Sequence, residues 1–141
     1  MKLVSKKRKN NKGFSLVELI VVVLIIAIIA VALAPQVMKW VGTAKTNVDE
    51  NNMASIKSSV QIAIAEFQYE GNKIEDSKIL INKDGIEITE PSDTIYIEKL
   101  EKKIKEVFGG SYPSPKSDSS KFLVTIYTTN NSLDSVSVTM P

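Results

Sequence analysis

The chain has 141 residues, with 18 Lys+Arg against 16 Asp+Glu and a formal net charge of +2 at pH 7. Six of the positive side chains lie within residues 1–13, which contain no acidic residue. The remainder, with 12 positive and 16 negative side chains, is mildly acidic. This distribution does not favour nucleic-acid binding, which requires a basic surface on the folded domain.

The chain contains neither His nor Cys. Their absence excludes the usual zinc ligand sets, disulfides and nucleophile pairs of the Ser-His or Cys-His type. No Gly-rich phosphate loop or metal-ligand cluster is present in the sequence. We therefore predict a protein that is not an enzyme and that has no metal or other cofactor.

Residues 19–34 are drawn only from Leu, Ile, Val and Ala, and Glu18 carries the only side-chain charge between Phe14 and Met38. About 20 mostly apolar residues suffice for a helix to cross a bilayer. We therefore predict a transmembrane helix over residues 14–41. The basic residues before it predict a cytoplasmic N-terminus, because positive side chains are retained on that side of the membrane.

Two ordinary interpretations of this segment are a plain signal anchor and a secretory signal peptide that is cleaved after Ala34. Neither explains Glu18, because a carboxylate in the apolar part of a membrane helix costs roughly 2.5–3.5 kcal/mol on insertion scales. Cleavage between Gly13 and Phe14 would create a cationic amine one helical turn before Glu18. That amine could pair with Glu18 of the same chain or of a neighbour.

Residues 12–19, KGFSLVEL, closely resemble the class III signal of type IV prepilins and pseudopilins. The match combines Gly13, Phe14, Glu18, the basic leader and the apolar run in a fixed order. The resemblance implies that a prepilin peptidase cleaves after Gly13 on the cytoplasmic side and N-methylates Phe14. It also implies that Glu18 pairs with the N-terminal amine of an adjacent subunit during assembly.

Pro35 lies where many members of that family carry a helix-bending proline. Proline inside a helix removes one backbone hydrogen bond and clashes with the preceding turn, at a cost of about 3 kcal/mol. Gly42 weakens the same region further. We predict a kink at these two residues, or local melting of the helix during assembly.

Residues 42–70 continue as an amphipathic helix, because apolar residues recur every three to four positions. Asp49 and Lys57 are among the residues assigned to its polar, solvent-facing side. Gly71 and Asn72 are residues that helix C-caps prefer, so the helix should end near Glu70.

Residues 71–141 are predicted to form a small α+β head. Alternating apolar residues flank turns at residues 83–85 and 130–132, and each pattern indicates a β-hairpin. A short helix is predicted at residues 93–108 and an exposed Pro- and Ser-rich loop at residues 111–120. The predicted fold is therefore α+β, with the C-terminal half of a long N-terminal helix packed against a small antiparallel sheet, and the apolar half protruding.

Two features depart from the prepilin pattern. Many pilins close a C-terminal loop with a Cys pair, and this chain has no cysteine. A helix between the two hairpins is not a general feature of the family, so the resemblance leaves the order of the strands open.

The function predicted from these features is that of a structural pilin, which polymerises into a type IV pilus for adhesion, surface motility or biofilm formation. Residues 1–13 are the removed leader. The predicted partners are further copies of the chain in a helical filament and the cytoplasmic membrane before assembly. The resemblance also implies prepilin peptidase, an assembly ATPase and a platform protein as partners. The alternatives are a pseudopilin of a type II secretion or DNA-uptake machine, and a non-polymerising membrane-anchored or secreted binding domain.

Overall fold

The computed structural model describes residues 13–117 and 119–141, so most of the predicted leader lies outside the described residues. The elements in chain order are α1 (Leu16–Tyr69), β1 (Ser77–Asn82), β2 (Gly85–Glu90), α2 (Thr94–Phe108), β3 (Phe122–Thr129) and β4 (Ser132–Thr139). The chain divides into two compact units, residues 1–40 and residues 41–141.

In the first unit, the described chain consists of residues 13–15 and the first part of α1. Every described side chain from Phe14 to Trp40 is exposed, although most of them are apolar. The helix continues through Pro35, which lies inside its bounds.

In the second unit, α1 ends at Tyr69, one residue before the predicted end. Gly71 has a φ of 85°, a conformation that glycine adopts without the steric penalty of a Cβ. Its N–H donates to the carbonyl of Gln68, and the N–H of Asn72 donates to the carbonyl of Phe67, at 2.9 and 3.3 Å. These two bonds form a Schellman motif, which satisfies carbonyl groups that the end of a helix leaves free.

The four strands form one antiparallel sheet in the order β2-β1-β3-β4. Two hairpins are present where the sequence predicts them, and β1 joins β3 between them. The turn between β3 and β4 places Asn130 and Asn131 at φ values of 54° and 60°. Asparagine tolerates this left-handed conformation better than most residues, which favours a tight hairpin turn at this point.

The core lies between α1 and one face of the sheet. From α1 it receives side chains at helical spacing: Ile56, Val60, Ala63, Ile64 and Phe67. From β1 and β3 it receives side chains two residues apart: Ile79, Ile81, Phe122, Val124 and Ile126. The predicted α+β class, with the C-terminal half of the helix on a small antiparallel sheet, is confirmed.

The helix α2 connects the two hairpins and closes the core. The Asp93 carboxylate caps it by accepting hydrogen bonds from the N–H groups of Ile95 and Tyr96, at 2.9 and 3.3 Å. Tyr96 is buried and packs edge-on against Phe67, with ring centroids 5.8 Å apart. Its hydroxyl lies 3.0 Å from the Ser77 hydroxyl, so the buried polar atom has a partner.

The prediction that Asp49 faces solvent is wrong. Asp49 is fully buried, and its carboxylate accepts hydrogen bonds from the backbone N–H groups of Lys116 and Ser117, at 2.6 and 2.9 Å. These donors replace the water that a buried carboxylate loses. The loop at residues 111–120 is consequently attached to α1 at this point and is only partly exposed.

Candidate assembly site at the start of the first helix

The predicted processing and assembly residues lie at the start of α1. Gly13, Phe14 and Ser15 precede the first helical residue, Leu16. The Phe14 side chain is 92% exposed. Within residues 13–117 and 119–141, it has no hydrogen bond or ring contact.

Ser15 and Glu18 form the N-terminal cap of α1. The Ser15 hydroxyl accepts a hydrogen bond from the N–H of Val17 at 3.3 Å, and Glu18 Oε2 accepts one from the N–H of Ser15 at 2.8 Å. This reciprocal pair is a capping box, in which two N–H groups without helical partners are satisfied by side chains. A carboxylate in the first turn also interacts favourably with the helix dipole.

The capping bond uses one oxygen of Glu18. Its second oxygen, Oε1, has no hydrogen-bond partner among the residues that the structure describes. A carboxylate can accept several hydrogen bonds, so Glu18 retains capacity for an additional cationic donor. The exposed position of Glu18 leaves this oxygen accessible.

An apolar surface follows the cap. The exposed large hydrophobic side chains of α1 include Leu19, Leu24, Ile28 and Val31. An 18-residue window of this helix, near the N-terminus, is long and apolar enough to cross a membrane. Apolar surface of this extent in a protein marks a site that a membrane or another protein covers.

Pro35 and Gly42 are the two positions at which a kink or melting is predicted. Both lie within the bounds of α1. In the second unit, the Thr46 hydroxyl donates to the carbonyl oxygen of Gly42 at 3.2 Å, a side-chain bond that competes with regular helical bonding. Melting during assembly involves other copies of the chain, and it stays a prediction.

Of the five residues singled out in the sequence, the structure places Gly13, Phe14 and Glu18 within one turn of the helix start. The residue that sequence analysis missed is Ser15, which donates the N–H bond to Glu18. The signal was available, because Ser-x-x-Glu directly before an apolar run is the pattern of a capping box.

The described residues, 13–117 and 119–141, contain no group of three or more acidic side chains that could hold a metal ion. The chemistry of this site is therefore that of a carboxylate, a helix terminus and an apolar surface.

Residues 8–34 match the family model described as the prokaryotic N-terminal methylation motif. The chain is also 33% identical over 101 residues to prepilin peptidase-dependent protein A of Clostridium perfringens (strain 13 / Type A). The overlap covers 72% of this chain and 71% of that protein. The chain belongs to the type IV prepilin-like family. No solved structure matches it.

Members of the type IV prepilin-like family are structural, pilin-like subunits. The apolar helix near the N-terminus of this prepilin-like chain is consistent with anchoring in a membrane. The capping box at Ser15 and Glu18 lies inside the matched methylation motif, so the geometry of the helix start and the family assignment concern the same residues.

Proposed function

We propose that this chain is a pilin that polymerises into a type IV pilus. In this proposal the leader, residues 1–13, is removed by cleavage between Gly13 and Phe14, and the new Phe14 amine is methylated. The observation that carries the proposal is the free Oε1 of Glu18, which lies at the start of an exposed apolar helix, four residues after the cleavage point. The methylation motif over residues 8–34 supports it.

Before assembly, residues 14–41 hold the chain in the cytoplasmic membrane. The basic residues ahead of Phe14 keep the N-terminus on the cytoplasmic side, where positive charge is retained. The amphipathic part of α1, residues 42–70, and the head, residues 71–141, then lie outside the cytoplasm.

During assembly, Glu18 of one subunit accepts a hydrogen bond from the Phe14 amine of its neighbour. The ion pair offsets part of the roughly 2.5–3.5 kcal/mol that a lone carboxylate costs in a bilayer. Because the bond is charge-assisted and short-range, it sets the axial offset between neighbouring helices. The exposed apolar side chains of α1 exchange lipid for the same side chains of other copies, and Pro35 and Gly42 let the helix melt locally.

The proposal requires four partners besides the membrane. Prepilin peptidase performs the cleavage and the methylation. An assembly ATPase with a membrane platform protein supplies the work of extraction, and further copies of the chain complete a helical homo-oligomer on the cell surface. Adhesion, surface motility and biofilm formation are the roles that such a filament serves. The relative from Clostridium perfringens bears a name that states dependence on prepilin peptidase, which supports the first of these partners.

Substitution of Glu18 tests the mechanism. Glu18→Gln keeps an oxygen that can accept the Ser15 N–H bond but removes the charge, whereas Glu18→Ala removes both. If pairing with the Phe14 amine drives assembly, both variants make no filaments visible by electron microscopy, and both are still cleaved after Gly13.

Glu50→Gln is the matched control, because Glu50 is an exposed glutamate in the same helix and its replacement changes the charge equally. It should assemble normally. Normal filaments from Glu18→Gln with none from Glu18→Ala would mean that capping, and not ion pairing, is the role of Glu18. Loss of protein export or DNA uptake in a strain that never makes filaments would identify a pseudopilin.

Mass spectrometry of the N-terminal peptide from cell-surface material tests the processing step. An N-methylated Phe14 at the start of the mature chain is the expected result. A mature start at Pro35 would indicate ordinary secretion, and an intact leader would indicate a plain anchor. Either outcome would overturn the proposal.

A further inference from the structure

The charged residue Asp49 is buried in the second unit, and the proposed function does not use it. Among the residues that the structure describes, it is the one charged side chain that is buried. A buried carboxylate is retained only where hydrogen bonds replace its lost hydration. The groups that donate hydrogen bonds to Asp49 therefore indicate its role.

The two oxygens of Asp49 each accept one hydrogen bond. Oδ1 accepts from the N–H of Lys116 at 2.6 Å, and Oδ2 accepts from the N–H of Ser117 at 2.9 Å. The donors are adjacent backbone groups, 67 and 68 residues further along the chain. A carboxylate suits this pair of donors because both of its oxygens are acceptors, whereas an amide offers one oxygen and one donor group.

The same stretch of the loop also contacts the end of the sheet. The Ser117 hydroxyl lies 3.7 Å from Sδ of Met140, to which it donates, and the Ser119 hydroxyl donates to the carbonyl oxygen of Pro141 at 3.1 Å. Residues 140 and 141 directly follow β4. The loop thus lies between α1 on one side and the end of β4 on the other.

We propose that the carboxylate of Asp49 acts as a charge-dependent latch. It fastens Lys116 and Ser117 to α1, and through these two residues it also holds the residues that follow β4. The chain has no cysteine, so no disulfide holds these residues to the rest of the head. When Asp49 loses one of its two acceptors, this latch opens locally. The core between α1 and the sheet stays folded, because its buried side chains come from the helices, the strands and Ile74.

Amide hydrogen exchange of the full chain in detergent micelles tests the latch. Asp49→Asn removes the charge at nearly constant volume and places an amide N–H group against one of the two donors. We expect the amides of Lys116 and Ser117 to exchange at least about tenfold faster than in the unsubstituted chain, since one of them loses its acceptor, the other keeps only an uncharged one, and the loop then opens more readily. The amides of Val124 and Ile126 in the central strand β3 should stay far better protected than those of Lys116 and Ser117, because they exchange only when the whole head unfolds.

Two aspartates provide controls. Asp134→Asn changes the charge of an exposed residue in β4 and should leave exchange at Lys116 and Ser117 unaffected. Asp76→Asn is a stricter control, because Oδ1 of Asp76 accepts both the N–H and the hydroxyl bond of Thr128, at 2.7 and 2.8 Å. An asparagine oxygen can keep both bonds, so the Thr128 amide should stay protected.

Unchanged exchange at Lys116 and Ser117 in Asp49→Asn would overturn the proposal. Equal protection of Lys116, Ser117, Val124 and Ile126 in the unsubstituted chain would also overturn it, since the loop would then open only when the whole head unfolds.

A second pair of variants decides the question if Asp49→Asn does not fold. Ser117→Pro removes the backbone donor and leaves α1 intact, whereas Ser117→Ala keeps the N–H and removes the hydroxyl. Faster exchange at Lys116 in the proline variant alone is the expected result. The same exchange at Lys116 in both variants would contradict the latch.

Discussion

The two parts of α1 have opposite surroundings although they belong to one helix. In the first unit every described side chain of the helix is exposed, whereas in the second unit buried side chains recur at three- to four-residue spacing from Ile56 to Phe67. Both parts are rich in apolar residues. The difference teaches that apolar composition does not by itself determine burial. In the second unit the apolar side chains of α1 are buried because those of the sheet and of α2 pack against them.

Two carboxylates of α1, one in each part, show the same contrast between an exposed and a buried side chain. Glu18 accepts an N–H bond from Ser15, three residues away, and stays exposed. Asp49 accepts N–H bonds from residues more than sixty positions away and is buried. The first caps the end of its own helix and has one oxygen without a hydrogen-bond partner among the described residues, while the second joins the helix to a distant loop.

The largest expected difference between the two parts comes from one substitution made in each. Phe67→Ala removes a side chain that is 2% exposed, and the cavity left in the core should cost about 3–5 kcal/mol of unfolding free energy. Phe14→Ala removes a ring that is 92% exposed and should leave unfolding of the head unchanged. Urea titration of the full chain in detergent, followed by the near-ultraviolet circular dichroism of the tyrosines, measures both. All four tyrosines lie within residues 69–127. Equal losses in the two variants would contradict the division of the helix.

The next effect concerns Asp49 and pH. Burial alone would raise the pKa of Asp49, but the hydrogen bonds from Ser117 and Lys116 outweigh it, so the pKa lies below its ordinary value of 3.8. The folded carboxylate thus binds its proton less readily than the unfolded one, and this contribution to stability is present above pH 3.8 and declines as pH falls through the folded pKa.

At neutral pH, Asp49→Asn should lower the free energy of unfolding by about 1–3 kcal/mol, because a part-buried backbone N–H loses its acceptor. The difference in unfolding free energy between the two proteins should shrink in urea titrations below about pH 3.8, where the protonated carboxyl resembles the amide. A difference that does not change between pH 7 and pH 2 would show that the charge of Asp49 has no role in holding the loop. For Asp134→Asn, the difference in unfolding free energy from the unsubstituted protein should not show this dependence on pH.

The smallest effect compares the two helix caps. Asp93→Ala removes the acceptor for two N–H groups at the start of α2 and should cost the head about 0.5–2 kcal/mol. Ser15→Ala removes the equivalent acceptor at the start of α1, which lies in the first unit, and should not change the unfolding of the head. The same urea titration checks both variants. A measurable loss in Ser15→Ala would mean that the start of α1 contributes to the stability of the head.

Local patterns in the sequence were sufficient to predict most of the secondary structure. Gly71 ends α1 because its φ of 85° suits glycine, and Asn130 with Asn131 turns the last hairpin because asparagine tolerates positive φ. The order of Gly13, Phe14 and Glu18 in the sequence marks the candidate assembly site, and the capping role of Ser15 follows from its spacing to Glu18. Each of these features involves residues within a few positions of one another, so each leaves a readable pattern.

The sequence by itself therefore determined the long helix, the two hairpins, the second helix and the motif at the helix start. Only the tertiary structure decided the order β2-β1-β3-β4, the burial of Tyr96 and the attachment of the loop at Lys116 and Ser117 to Asp49. The physical reason is the range of the interactions. Helices and turns depend on neighbours in the chain, whereas a buried carboxylate and the pairing of β1 with β3 depend on backbone groups that only the folded chain brings together.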